Sequence, residues 1–83
     1  MAVVAAKARL KALDRCLHLL EEALAAGQER IDGSLGARLR RLLGRAGLVP
    51  DHRLEGRRTA RVLDDIFELQ ERLLGTEDEE TAI

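Results

Sequence analysis

Leucine recurs at alternating intervals of three and four residues along the first third of the chain. From Val3 to Ile31 the apolar positions follow the spacing of helices that pack along their whole length. Neighbouring alanines and Leu19 widen this apolar arc to roughly 160° of the helix surface. The spacing predicts a first helix from about Ala2 to about Ala26, with a face wide enough to touch two neighbours. The leucines in this pattern are Leu10, Leu13, Leu17, Leu20 and Leu24.

A shorter apolar pattern from Leu35 to Ala46 predicts a second helix. Either Asp32 or Ser34 can cap its first turn, because both side chains can accept a hydrogen bond from a free backbone amide. Gly47 suits the left-handed residue after the helix, and Pro50 prevents continuation. A short helix that returns against a long one makes a hairpin. The leucines of the second helix are Leu35, Leu39, Leu42 and Leu43.

The first helix is long for a chain of 83 residues. It measures about 37 Å at 1.5 Å per residue, whereas a compact chain of this size is roughly 30 Å across. Either the molecule is elongated or a second copy covers the overhang. We predict a homodimer in which residues 1–50 of two chains form a four-helix bundle. The nine leucines named above would form its interface.

A third amphipathic helix is predicted within residues 51–75. Asp51 can cap it, although the pattern becomes strong only from Thr59, and Gly75 is its expected end. Residues 76–83 are predicted to be a disordered acidic tail. The apolar positions of this helix are Val62, Ile66, Leu69 and Leu73 on one seam, with Leu63, Phe67 and Leu74 beside it. The sequence therefore predicts an all-α protein with a helical hairpin and a third, acidic helix.

Charge is distributed unevenly, although the net charge is only −1. Residues 33–62 carry eight arginines against two carboxylates, a net charge of +6. Residues 63–83 carry one arginine against eight carboxylates, a net charge of −7. A basic middle and an acidic end are expected to attract each other, within one chain or between two.

The residue types that carry chemistry are few. His18 and His52 are predicted to be solvated side chains, and the single cysteine, Cys16, is predicted to be a buried structural thiol. No phosphate-binding loop, catalytic group, metal site or cofactor site is predicted. No apolar run reaches the roughly 18 residues of a membrane span. We therefore expect a non-enzymatic, cytoplasmic protein without a cofactor.

Three segments together resemble the C-terminal docking domain of modular polyketide synthases. They are Leu17-His-Leu-Leu-Glu-Glu-Ala-Leu24, Leu35-Gly-Ala-Arg-Leu-Arg-Arg-Leu-Leu43 and Asp64-Asp-Ile-Phe-Glu-Leu69, followed by Gly75 and acidic residues. The resemblance implies two helices that pair across a homodimer into a four-helix bundle. It also implies a third, acidic helix that docks on a coiled coil of the next synthase subunit. The linker before the third helix is shorter and richer in arginine than in that family, so this helix could also fold back onto its own bundle.

The first functional hypothesis is a docking and dimerisation module between subunits of a multienzyme assembly line. The third helix would bind a helical or coiled-coil segment with basic residues, as an amphipathic helix binds in a groove. Its acidic residues would select the partner and speed association. The alternative is that the apolar residues belong to the protein's own core. The predicted docking residues are Asp64, Asp65, Ile66, Phe67, Glu68, Leu69 and Leu73.

The second hypothesis is a small helical regulator that binds DNA or RNA. Eight arginines between residues 38 and 61 could contact a phosphate backbone. The segment from Leu35 to Leu48 also resembles the first helix and turn of repressor-type helix-turn-helix domains, although no recognition helix follows. No aromatic residue interleaves with the arginines, which argues against base stacking. The predicted contacts are Arg38, Arg41, Arg45, Arg57 and Arg61.

Overall fold

A computed structural model describes the backbone of residues 2–48 and 52–82 and the side chains of residues 7–48 and 52–75. It contains three helices: α1 (Ala2–Ala25), α2 (Gly33–Arg45) and α3 (Thr59–Ala82). Within the described residues there is no strand, and the one isolated β-bridge joins Arg30 to Arg58. The predicted all-α class is confirmed.

The end of α2 follows the local signals of the sequence. Gly47 has a φ of +70°, and the amide of Leu48 donates to the carbonyl oxygen of Leu43 at 2.8 Å. This is the hydrogen-bond pattern that closes a helix with a left-handed glycine. Gly27, with a φ of +82°, ends α1 in the same way. At the start of α2 the cap is Asp32, whose carboxylate accepts from the amide of Leu35 at 2.8 Å.

The start of α3 is fixed by contacts with the loop that follows α1. Thr59 is fully buried. Its hydroxyl donates to the carbonyl oxygen of Gln28 at 2.8 Å, and its amide donates to the carbonyl oxygen of Glu29 at 2.8 Å. The amide of Ile31 also donates to the carbonyl oxygen of Arg57 at 2.9 Å. We call this pairing of residues 28–31 with residues 56–59 the loop clamp. It places the beginning of α3 beside the end of α1.

The helix predicted to end at Gly75 continues to Ala82. The predicted end is wrong because a glycine weakens a helix by only about 1 kcal/mol relative to alanine and does not stop it. The glycines with positive φ are Gly27, Gly47 and Gly56, so Gly75 does not have the left-handed conformation of a helix end. Residues 76–82 therefore extend the helix where a disordered tail was predicted. Asp51, the predicted cap, and Ile83 lie outside the described residues.

Helix α1 is the centre of the molecule. Both α2 and α3 start near its last turn and run back along it, and the backbones of α2 and α3 stay apart in the described part of the chain. The molecule measures 44 × 19 × 19 Å. The buried apolar cluster contains Leu13, Cys16, Leu17, Leu20, Ala23, Ile31, Leu35, Leu39, Leu43, Leu54, Val62 and Ile66.

Six of the nine leucines of the predicted dimer interface lie in this core. Both α2 and α3 pack on α1, and Leu13, Leu17 and Leu20 of α1 are buried within one chain. The molecule is elongated, and these six leucines are buried within a single chain. They are Leu13, Leu17, Leu20, Leu35, Leu39 and Leu43, whereas the predicted interface residues Leu10, Leu24 and Leu42 are half-buried.

Candidate docking groove between helices α2 and α3

A groove of about 720 Å³ lies where α2 and α3 flank the same side of α1. It exists because both helices pack on α1 while their backbones stay apart. One wall comes from α2 and the other from α3, and α1 forms the floor. The two walls are lined by Arg38, Arg41, Leu42 and Arg45 from α2 and by Phe67 and Gln70 from α3.

The α2 wall is basic because of helical spacing. Arg38, Arg41 and Arg45 are separated by three and four residues, so they share one flank of the helix, and all three are exposed. Leu42 lies between them and is half-buried. The opposite flank carries Arg40, which is therefore outside the groove. The groove thus combines three cationic side chains with one apolar side chain on a single wall.

Arg40 belongs to a separate ion-pair cluster around Glu55. A guanidinium nitrogen of Arg40 lies 3.8 Å from a carboxylate oxygen of Glu55, and Arg53 lies 3.7 Å from the same oxygen. Glu55 lies against Gly36 of α2, where an added Cβ would come within 2.8 Å of its other carboxylate oxygen. The absence of a side chain at Gly36 therefore leaves space for the Glu55 carboxylate, which pairs with Arg40.

The α3 wall presents the aromatic side chain of the protein. Phe67 is 42% exposed, whereas its neighbour Ile66 is 4% exposed and belongs to the core. Consecutive helical residues point about 100° apart, which places one on α1 and the other in the groove. Asp64 and Glu71, three residues before and four residues after Phe67, are exposed on its solvent side. Phe67 therefore lies between the groove and a pair of carboxylates.

The floor of the groove comes from one side of α1. Leu17 is buried there, while Asp14, His18 and Glu21 are exposed around it. His18 Nε2 lies 3.0 Å from Glu22 Oε1, one turn further along the helix, and both side chains are largely exposed. These contacts fit the prediction of a solvated histidine. Arg15 and Leu19 complete the floor.

The predicted docking residues of α3 divide between the core and the surface. Ile66 is a core residue, and Leu69 and Leu73 are half-buried against the core. Ile66 faces α1 and is not exposed in the single chain. Phe67 is the apolar residue of the set that is left exposed. The acidic members, Asp64, Asp65 and Glu68, are exposed.

The predicted nucleic-acid residues divide as well. Arg38, Arg41 and Arg45 lie together in the groove, whereas Arg57 and Arg61 are exposed outside it. The sequence assigned the arginines and Phe67 to two different functions, but the fold brings them to one site. A second apolar stripe on α3, formed by Leu63, Phe67 and Leu74, was the available signal that this helix has a further face.

Cys16 is fully buried, and burial raises its pKa to about 11. The protonated thiol is therefore the form present near neutral pH, as expected for a structural cysteine. Among the residues that the structure describes, no group of three or more histidine, cysteine, aspartate or glutamate side chains could hold a metal ion. No helix in that part of the chain is long and apolar enough to cross a membrane.

The groove is therefore an open site with an aromatic residue, an apolar centre and a cationic wall. Its groups can bury apolar surface and pair with anions. Comparisons of the chain with known protein families, with curated proteins and with solved structures found no match.

Proposed function

We propose that this chain is a non-catalytic docking module that binds a helical protein segment in the groove between α2 and α3. The observation that carries the proposal is the position of Phe67. It is 42% exposed, in a chain that buries most of its other large apolar residues. An aromatic residue at the edge of an apolar groove is the usual anchor of a helix-in-groove contact.

The charge of the groove defines the class of partner. Four arginines line it, Arg15 and the three of α2, against the two carboxylates Asp14 and Glu21. A cationic rim favours an amphipathic helix with acidic residues and increases its rate of association. The basic partner predicted from α3 would instead meet the solvent-facing carboxylates of that helix. That prediction, and the assignment to a multienzyme assembly line, rest on the sequence and its resemblance alone.

A designed helical peptide tests this proposal directly. Its sequence carries leucine and phenylalanine on one face and glutamate on the other, and it is labelled with fluorescein. We expect the anisotropy of the label to rise on titration with the intact chain. A peptide with lysine in place of each glutamate should not bind, because the groove is cationic. Equal binding of the two peptides would contradict the proposal.

Two alanine variants of α3 locate the binding site. Phe67→Ala removes the aromatic side chain from the groove and should weaken binding of the acidic peptide at least about tenfold, as for a buried anchor residue. Leu74→Ala is the matched control, because Leu74 is 46% exposed on the same helix and does not line the groove. It should leave the affinity unchanged. Equal effects of the two substitutions would rule out this groove as the site.

The groove also supports single-stranded nucleic acid as a second candidate ligand. The fold brings Phe67 next to Arg38, Arg41 and Arg45, and so supplies the aromatic side chain that the arginine-rich segment lacks. A base could stack on the ring while the arginines contact phosphates. A labelled oligothymidine would then bind with an affinity that falls steeply as salt is added. Absence of binding at low salt removes this candidate.

A further inference from the structure

The groove separates two groups of opposite charge that do not pair within the chain. Arg38, Arg41 and Arg45 form one wall, and Asp64 and Glu71 flank Phe67 on the other. Among the side chains that the structure describes, the ion pairs within 4 Å join His18 to Glu22 and Arg40 or Arg53 to Glu55, and none joins α2 to α3. These charges are therefore available to a partner.

We propose that the occupant of the groove is helix α3 of a second copy of this chain, bound in a symmetric dimer. The inference rests on the proposed docking function and names the partner. Phe67 of each copy enters the groove of the other, and the carboxylates beside it meet the arginines of the facing α2. A two-fold axis makes the contact reciprocal, so that each copy supplies one arginine wall and one acidic helix.

The spacing of the charges supports this choice over an unrelated acidic helix. Arg38 and Arg45 are seven residues apart on α2, and Asp64 and Glu71 are seven residues apart on α3. At 1.5 Å per residue, both pairs span about 10.5 Å along their helices. Two helices lying side by side can thus form both ion pairs at once, with Phe67 between the carboxylates and Leu42 between the arginines.

This dimer differs from the one that the leucine pattern predicts. The six leucines of α1 and α2 that are buried in the single chain remain in its core, and the contact uses residues that are exposed or half-buried there. We expect weak or transient association, for which interfaces are typically at or below about 1,200 Å² in total. The exposed ion pairs also make the dimer sensitive to salt.

A charge exchange tests the reciprocal contact. The first variant, Arg38→Glu/Arg45→Glu, reverses the charge of both arginines of this spacing, and the second, Asp64→Lys/Glu71→Lys, makes α3 basic. We expect the wild-type chain to show a concentration-dependent dimer in sedimentation equilibrium and each variant alone to be monomeric. An equimolar mixture of the two variants should form a heterodimer, because both contacts across the two-fold axis then regain opposite charges. No contact with an unrelated partner predicts this recovery.

The control is Arg57→Glu/Arg61→Glu, which changes the net charge as much as the first variant does but at exposed positions outside the groove. It should dimerise as the wild type does. All substituted side chains are exposed, and circular dichroism should show unchanged helix content.

Three results would overturn the symmetric dimer: a wild-type chain that is monomeric at every concentration, a mixture of variants that stays monomeric, or a control that dissociates. The acidic peptide then separates this failure from failure of the proposed function. A monomeric wild-type chain that binds the peptide in a Phe67-dependent manner remains a docking module with a different partner. A monomeric chain that does not bind it loses both assignments.

Discussion

Ile66 and Phe67 are consecutive residues of α3, yet the first is 4% exposed and the second 42% exposed. Ile66 points onto α1 and joins the core, whereas Phe67 points into the groove. Because both are large and apolar, composition alone does not distinguish their roles. An amphipathic helix can thus bury one stripe of side chains in the core and leave the adjacent stripe exposed at a groove. Each prediction below tests this separation between core side and groove side.

The largest expected effect comes from removing the core member of this pair. Ile66→Ala should lower the free energy of unfolding by about 2–5 kcal/mol, because it leaves a cavity between α3 and α1. Phe67→Ala should lower it by less than about 1 kcal/mol, since surface substitutions change stability little. Urea unfolding followed by circular dichroism measures both. If Phe67→Ala were as destabilising as Ile66→Ala, the groove side would be part of the core.

The second prediction concerns Cys16, on the core side of α1. Burial raises its pKa from 9.0 to about 11, so the folded state favours the protonated thiol. Its contribution is fully present below pH 9 and is lost as the pH rises from 9 towards 11. The free energy of unfolding should therefore fall over this range in the wild type and change less in Cys16→Ala. The chain has no tyrosine, so few other groups titrate there. Equal slopes for the two proteins would show that Cys16 is accessible to water.

The third prediction concerns the loop clamp that positions α3. Thr59→Val keeps the shape of the side chain but leaves the carbonyl oxygen of Gln28 without its hydroxyl donor. The expected loss is about 1–3 kcal/mol, the usual cost of an unsatisfied buried polar group. Thr59→Ser, which retains the hydroxyl, is the matched control and should be closer to the wild type. A valine variant of unchanged stability would mean that water replaces the hydroxyl at this site.

The sequence predicted the parts of the fold that local signals determine. Gly47 and Asp32 mark helix boundaries through hydrogen bonds to residues within about one turn. Such boundaries can be predicted from residues that are close in the sequence. Helical periodicity predicts that Leu13 and Leu20 lie on a buried face. It does not predict which helices cover them. Their burial depends on the loop clamp, in which backbone groups about 25 to 30 residues apart in the sequence form hydrogen bonds.

The groove could not be predicted for the same reason. Its two walls are about 30 residues apart in the chain, and Arg41 and Phe67 share a site only because α2 and α3 both pack on α1. The charge pattern predicted attraction between the basic middle and the acidic end but left open whether it acts within one chain or between two. Among the described side chains, neither Arg38 nor Arg45 forms an ion pair with Asp64 or Glu71, and the proposed contact between two chains would pair them.

The smallest expected effect compares two glycines of α2. Gly44 has no atom within 4 Å of an added Cβ, so Gly44→Ala should stabilise the protein by about 1 kcal/mol through helix propensity alone. Gly36→Ala should gain less, because its Cβ would meet the carboxylate of Glu55 at 2.8 Å and displace it from Arg40. Thermal unfolding of the two variants side by side gives the difference. Equal stabilisation would show that the Glu55 side chain can move away from Gly36 without a loss of stability. The ion pair between Arg40 and Glu55 would then contribute nothing to the packing of the loop before α3 against α2.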